Sequence, residues 1–380
     1  MAENSFFNRF LSRIYSDLWQ KKGESILGVD FGLSSLKIVQ LRKEKERAIL
    51  ETYGELSTGH YADIDVGRAA ILSEEKKTEI LKDLLRESGA KAKTAVSSVS
   101  LKNSFVTTIE LPKMSDRDLA QAIPYEARRY IPVPVSEVEM DWWVLPEGYS
   151  GEEKESKELK ESDKESKKEA IKALLVVIHK DVLARQRLLL ENTDLKSIAF
   201  EVEIFSIVRS SLGRELTPIL LIDLGVSSTK MAIVDYGIVR AAHSLDKGGQ
   251  DISDVLSHSL NIDFSRAEKI KRETGLSDQP EHREIKEVIS PILDYIFSEA
   301  ASFFADYRVR HGRSVSRVVL TGGGALLKGI IGFSINKFGL EVSLADSFAK
   351  LEYPAFLEPA LKEIGPTFAT AVGLALRGLK

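Results

Sequence analysis

Apolar positions along the chain follow two periods, and what they predict first is a repeated arrangement of strands. Unbroken apolar runs at 26–29 and 219–222 are each followed by a strand-like stretch, at 36–41 and 229–235, and then by a third, at 47–55 and 238–244. The pattern predicts two three-stranded meanders, each opening on a hairpin whose turn is rich in Gly and Ser. A further strand at 317–320 runs into Thr321, Gly322, Gly323 and Gly324, with a helix predicted over 325–338. Helical spacing also marks 78–87, 116–130, 183–192, 202–212, 264–274, 285–307 and 368–379. Helices alternating with meanders indicate α/β layers.

Two segments stand apart. Residues 6–19 place Phe6, Phe7, Phe10, Leu11, Ile14 and Leu18 at helical spacing, which predicts an amphipathic helix. It lacks the apolar core and small-residue cleavage site of a secretory signal and is expected to stay in the mature protein. Between 152 and 169, fourteen of eighteen residues are charged and none is aromatic, so this run reads as a solvated loop or frayed helix inserted into a domain.

Composition narrows the function. With 380 residues and 43% hydrophobic content, the chain can form two or more domains with substantial cores. Its 53 basic and 57 acidic side chains leave a net charge of −4, which gives no reason to expect a nucleic-acid partner. The absence of cysteine removes disulfides, thiolate metal sites and thiol nucleophiles, and fits a reducing cytoplasm. The apolar runs at 173–178 and 219–222 are far shorter than the ~18–20 residues needed to cross a bilayer, so no transmembrane segment is expected.

The two predicted hairpin turns are copies of each other. Asp30-Phe-Gly-Leu-Ser-Ser-Leu-Lys37 and Asp223-Leu-Gly-Val-Ser-Ser-Thr-Lys230 agree at five of eight positions, 193 residues apart. A turn of Gly and small hydroxyl residues directs several backbone N–H groups at one anion, because no bulky Cβ blocks close approach. Neither copy is a Walker loop or a dinucleotide-binding GxGxxG. Asp30 and Asp223 end their first strands, where two carboxylates on facing hairpins could hold a hydrated Mg²⁺ that bridges phosphate oxygens. A single DxGxS turn is often only a tight hairpin; its duplication is the functional signal. The glycine cluster at 322–324 reads either as a bare strand-to-helix turn or as a nucleotide contact at a helix N-terminus.

These three motifs, in this order, resemble the actin-like ATPase superfamily of actin, heat-shock chaperones, sugar kinases and the division protein FtsA. The implied fold class is α/β, an actin-like (ribonuclease H-like) fold of two duplicated domains with an inserted small α/β subdomain. By resemblance the cofactors are ATP and Mg²⁺, closed over by the two domains. Gly32, Ser34, Ser35, Gly225, Ser227 and Ser228 would supply donors to the phosphates, with Thr229 and Lys230 completing the second loop, and Lys37 would reach a phosphate oxygen. Gly322 to Gly324 match the adenosine motif, and Gly248 and Gly249 fall where the second domain lines the cleft, or are a plain loop before a helix. Glu268 and Lys271 match a Glu and Lys beside the ribose and adenine, although Ser265 and Glu268 also fit a helix capping box. A connecting helix at 201–212 carries Glu203, which with Asp223 is a candidate catalytic carboxylate. Ile204 stands where the superfamily often has a proline, so at most slow hydrolysis is expected.

Within the superfamily, Leu111-Pro-Lys-Met-Ser-Asp-Arg-Asp-Leu-Ala-Gln-Ala-Ile123, Tyr125-Glu-Ala-Arg-Arg-Tyr-Ile-Pro132 and the stretch 137–145 are similar to the PilM family of type IV pilus assembly. The resemblance implies a cytoplasmic scaffold, peripheral to the inner membrane, that binds the extended N-terminal tail of PilN beside the inserted subdomain. Tyr125, Arg128, Arg129, Tyr130 and Pro132 are the expected lining residues. An FtsA-like filament protein and a small-molecule kinase are the alternatives. The implied division is an N-terminal helix at 1–22, a first subdomain at 23–103 completed by 191–216 and 362–380, an inserted subdomain at 104–190 with the charged loop, and a second domain at 217–361. Basic residues outnumber acidic ones around the N-terminal helix, which suits an anionic membrane surface; docking on the protein's own body or self-association is the other reading.

Overall fold

A computed structural model describes residues 24–131, 133–145, 170–213 and 215–379. The amphipathic segment 6–19, the charged run 152–169 and Pro132 lie outside the described residues. In chain order the first strands are β1 (Ser25–Phe31), β2 (Ser35–Glu44), β3 (Arg47–Ser57), β4 (Thr94–Val99), β5 (Ser104–Pro112), β6 (Val138–Val144), β7 (Ala170–His179) and β8 (Lys196–Val202). They are followed by β9 (Ile219–Leu224), β10 (Thr229–Asp235), β11 (Ile238–Leu245), β12 (Arg317–Thr321) and β13 (Glu341–Leu344). The longer helices are α1 (Glu74–Ser88), α2 (Asp116–Ala127), α3 (Lys180–Glu191), α4 (Glu203–Ser211), α5 (Gly249–Leu260), α6 (Phe264–Glu273), α7 (Arg283–His311), α8 (Ile330–Phe338) and α9 (Glu358–Gly378).

The duplication seen in the motifs extends to whole sheets. One sheet has the order β3-β2-β1-β4-β8 and the other β11-β10-β9-β12-β13. In each, an antiparallel meander is extended by two parallel strands, β1 pairing parallel with β4 and β9 with β12. The paired first strands, Ile26, Leu27 and Val29 in β1 and Ile219 to Ile222 in β9, are fully buried, as strands covered on both faces must be. A third sheet, β5-β7-β6, is inserted between β4 and β8. Its own core forms against α2 through Ile109, Leu119, Ile123, Leu175 and Val177.

The two halves meet where α4 and α9 cross. A small residue lets the backbones touch there, since a Cβ on Gly373 would run into the Ser206 carbonyl oxygen; on its other side α9 packs as closely on β1, where a Cβ on Gly28 would lie 2.6 Å from the Ala375 nitrogen. Ser210 of α4 donates to the Ala369 carbonyl at 2.7 Å, and Arg209 donates to that of Gly373 at 3.0 Å. Beneath this crossing Glu201, only 4% exposed, accepts from Arg209 at 2.5 Å and from Arg377 at 2.6 Å. Burial alone would push its carboxyl up, but the two guanidinium groups hold it down at about 2.

Several elements differ from the periodic reading. The connecting helix starts at Glu203, because Glu201 is still in β8. Residues 325–338 form a 3₁₀ turn at Gly323–Leu326 and only then α8, since Gly329 at φ +78° interrupts the spiral. α9 begins ten residues earlier than expected; Pro359 sits in its first turn, where a missing N–H costs nothing. α7 is long and apolar enough to cross a membrane by length and composition. It nonetheless buries Ile289, Leu293, Ile296, Phe297 and Ala300 in the core of the second half.

Replacing Glu201 with Gln strands two buried guanidinium groups and should cost about 3–5 kcal/mol. Its folded pKa of about 2 lies below the ordinary 4.5, so this contribution is present above pH 4.5 and fades as the pH falls toward 2. Urea unfolding of wild type and Glu201→Gln should therefore show a gap at pH 7 that narrows at pH 3.

Candidate functional site

The eight-residue repeat folds so that its first and last residues face each other. Across the β1–β2 hairpin Asp30 is the register partner of Lys37, and across β9–β10 Asp223 is that of Lys230. Glycine is needed at the third position of both turns. A Cβ on Gly32 would fall 2.6 Å from the Ser35 carbonyl oxygen, and one on Gly225 would fall 2.8 Å from that of Ser228. Ser35, Ser228 and Thr229 are buried, while Ser34 and Ser227 keep partial exposure.

The two hairpins use their lysines differently. Lys37 donates to Ser35 Oγ at 2.5 Å and pairs with Glu55 at 3.1 Å, so it lies along the rim of the first sheet. Lys230 inserts between Asp223, at 3.1 Å, and Glu203, at 3.0 Å. Burial alone would discharge this ammonium, but the two carboxylates outweigh it and hold it charged well above its ordinary range. Glu203 is buried at the first position of α4, where its other oxygen accepts the Leu101 N–H at 2.8 Å. The sequence pattern gives no hint of this: a carboxylate on an amphipathic helix is ordinarily solvated.

Asp30 belongs to the same cluster. Its Oδ1 accepts from Ser98 at 3.0 Å, and Ser98 in turn accepts the Phe31 N–H at 3.2 Å. Burial pushes its carboxyl up to about 6, with Lys37 and Lys230 pulling against that and Glu203 adding to it. Two carboxylates, Glu203 and Asp223, thus pair with the Lys230 ammonium, and Asp30 feels its charge more weakly than that of Lys37. A polyphosphate entering between the turns would meet net negative charge unless a divalent cation came with it. Ser98 takes one oxygen of Asp30 and Lys230 one of Asp223, which leaves the other oxygen of each without a hydrogen bond among the described residues. No group of three or more His, Asp or Glu converges on a metal position among the described residues. Two carboxylates suit Mg²⁺, which keeps much of its water and takes phosphate oxygens as ligands.

The remaining expected residues surround the second turn. A Cβ on Gly248 would lie 2.6 Å from the carbonyl oxygens of Gly225 and Val226, and the Gly249 N–H donates to Gly225 at 2.9 Å. This pair supports the turn from behind, helped by Thr229 Oγ1 donating to Lys247 at 2.8 Å. Gly322, at φ +83°, and Gly324 pack on Leu224, whereas Gly323 faces open space. The glycine cluster therefore abuts the end of β9 and opens only the short 3₁₀ turn at Gly323–Leu326, with α8 starting later at Ile330. Glu268 and Lys271 lie together on α6, with Lys271 donating to Glu268 at 2.5 Å and to the Gly249 carbonyl at 2.9 Å. The helix is capped by Asp263, not by Ser265, so the capping-box reading fails. Ser98 and Glu55 are site neighbours that no motif marks, whereas Gln250, next to Gly249, falls in the stretch the resemblance places at the cleft. Tyr125, Arg128, Arg129 and Tyr130 lie elsewhere, exposed at the end of α2.

Residues 28–379 match the family described as type IV pilus assembly protein PilM. Among solved structures, a PilM–PilN type IV pilus biogenesis complex is similar over 95% of this chain and 100% of that one, at 23% identity and a TM-score of 0.77. The ethanolamine utilization protein EutJ from Carboxydothermus hydrogenoformans is similar over 97% and 94%, at 17% identity and a TM-score of 0.51. A MamK double helical filament is similar over 94% and 99%, at 10% identity and a TM-score of 0.50. With the duplicated sheets these likenesses establish an actin-like ATPase fold.

Asp30 titrates at about 6 in the folded protein against an ordinary 3.8, so ionising it above pH 6 opposes folding and below about pH 4 there is no such cost. Asp30→Asn should raise stability by about 1–3 kcal/mol at pH 8, with the gain vanishing as the pH falls toward 4. Thermal melts of both proteins across that range measure it.

Proposed function

The chain belongs to the type IV pilus assembly protein PilM family, and on that premise we propose that it is a nucleotide-binding scaffold of a pilus assembly platform, holding ATP with Mg²⁺ between its two halves. The observation that carries this reading is the pair of matched Asp-x-Gly-x-Ser-Ser hairpins, in which Asp223 pairs with Lys230 and Asp30 is held by Ser98 with one oxygen left over. The two turns would hold phosphates through backbone N–H groups and hydroxyls, while Asp30 and Asp223 would hold the hydrated cation. Bound Mg²⁺ would offset the phosphate charge.

The same geometry supports binding without fast hydrolysis. Both oxygens of Glu203 are engaged, one by Lys230 and one by Leu101, so the carboxylate best placed to orient water is already occupied. Binding would serve to fix the two halves relative to each other.

For the partner, we read the inserted unit as the seat of an extended tail of the PilN kind, at the cytoplasmic face of the inner membrane. The likeness to a PilM–PilN complex supports this. So does the surface at the end of α2, where Tyr125 is 70% exposed, Arg128 lies over its ring at 5.8 Å, and Arg129 and Tyr130 are also exposed. Aromatic and guanidinium groups of this kind anchor peptides. Membrane contact through residues 6–19 is part of the same proposal.

Gly225→Ala puts a Cβ 2.8 Å from the Ser228 carbonyl oxygen and should weaken Mg-ATP binding by about tenfold or more in calorimetric titration. Unchanged affinity would remove the nucleotide reading. Turnover by the wild type should stay far below the ~10 per second typical of enzymes. Arg128→Glu and Arg129→Glu should each weaken a PilN-tail peptide by about tenfold; if neither does, the peptide sits elsewhere, and the cavity of about 550 Å³ lined by Lys93, Arg187, Lys196 and Phe200 beside β8 is the next place to look.

A further inference from the structure

Residues 65–70 belong to the first half of the molecule but reach across to the second. Ser265 donates to Asp65 at 2.8 Å, and Arg68 meets Asp254 at 3.3 Å while its guanidinium lies 3.7 Å from the centre of the Phe264 ring. The Ala69 N–H donates to the Gln250 side chain at 2.7 Å. Gly67, at φ +95°, fits against Glu268 so closely that a Cβ there would stand 2.6 Å from the Glu268 carboxyl carbon.

This segment is also wired to both phosphate-type turns. The Ala70 N–H donates to the Leu33 carbonyl of the first turn at 2.9 Å, and the Gln250 N–H donates to the Val226 carbonyl of the second at 2.8 Å. From Leu33 through Ala70, Ala69 and Gln250 to Val226 the path is continuous, one peptide step and three hydrogen bonds. Anything held between the two turns is enclosed on this side by residues 65–70. The other junction of the halves, at α4 and α9, is buried and carries the chain itself. The 65–70 contacts are different in kind: the side chains of Asp65, Arg68 and Asp254 are 45%, 35% and 33% exposed. Partly solvated ion pairs and single hydrogen bonds are weak one by one, so such a contact opens and recloses readily.

We propose that residues 65–70 are a clasp across the nucleotide cleft, a part of the binding site that sets how fast the ligand enters and leaves. The proposal rests on the reading of this cleft as a nucleotide site. Lifting the clasp separates the two turns and frees the ligand, while closing it couples the first turn to the second through Gln250. Arg68 and Gln250 hold the clasp without lying in either turn.

The chain has no cysteine, so pairs of cysteines can be introduced into the full-length protein without background. With a fluorescent ATP analogue and Mg²⁺, stopped-flow release should be about tenfold faster in Arg68→Ala/Gln250→Ala, and about tenfold slower in oxidised Asp65→Cys/Ser265→Cys, returning to the wild-type rate on reduction. Dyes on the two halves of the nucleotide-free protein should report a broader distance distribution in Arg68→Ala/Gln250→Ala. If the wild type and the variant bind the analogue but release it at the same rate, and the distance distributions coincide, the clasp is overturned. If the wild type does not bind the analogue at all, the nucleotide reading falls and takes the gating role with it.

Discussion

The site depends on one ammonium group. Lys230 enters from β10 and is shared by Asp223, at the end of β9, and Glu203, at the start of α4, the helix that leads out of the first sheet. The contact ties the second hairpin to the segment joining the halves, and it decides the chemistry of the space between them. Glu203 and Asp223 would repel each other without Lys230 between them, and Asp30 adds a third buried carboxyl nearby. The same ammonium engages the carboxylate that could otherwise activate water.

Duplication explains how such a site forms from short motifs. Each Asp-x-Gly-x-Ser-Ser-x-Lys segment is local, set by hairpin register and by the close approach of a glycine to a carbonyl three residues along the turn. Placing the two segments face to face requires the sheets to be clamped together, and the crossing of α9 over α4 does this. Gly373 lets α9 touch the α4 backbone at Ser206, Gly28 lets β1 touch the α9 backbone, and the Glu201 ion network links β8, α4 and α9. The halves are thus held by a buried junction on one side and by the partly solvated contacts of residues 65–70 on the other.

The inserted sheet has two different faces. One forms a core of its own from Ile109, Leu119, Ile123, Leu175 and Val177, while the other packs through Val176 and Trp143 on Ile204, Phe205 and the second sheet. α3, by contrast, turns Leu189 and Leu190 into the core of the first sheet, so the chain re-enters the first half before β8 begins. The inserted sheet is thus joined to the two halves both by the packing of Val176 and Trp143 and by the strands on either side of the insertion, β4 and β8, which pair in parallel.

The sequence by itself determined the two meanders, the duplicated turns, the glycine cluster and most helices, because hairpin register, helical period and glycine turn chemistry act over a few residues. The match of Asp30 with Lys37 and of Asp223 with Lys230 follows from that local spacing. Only the tertiary structure decided which lysine is buried between carboxylates, that Glu203 is buried and engaged on both oxygens, that the stretch after Gly324 is a 3₁₀ turn, and that residues 65–70 cross the cleft. Apart from the 3₁₀ turn, which Gly329 imposes locally, these rest on contacts between residues from about 30 to 200 positions apart, and the strength of a charge depends on burial and neighbours that no local pattern encodes.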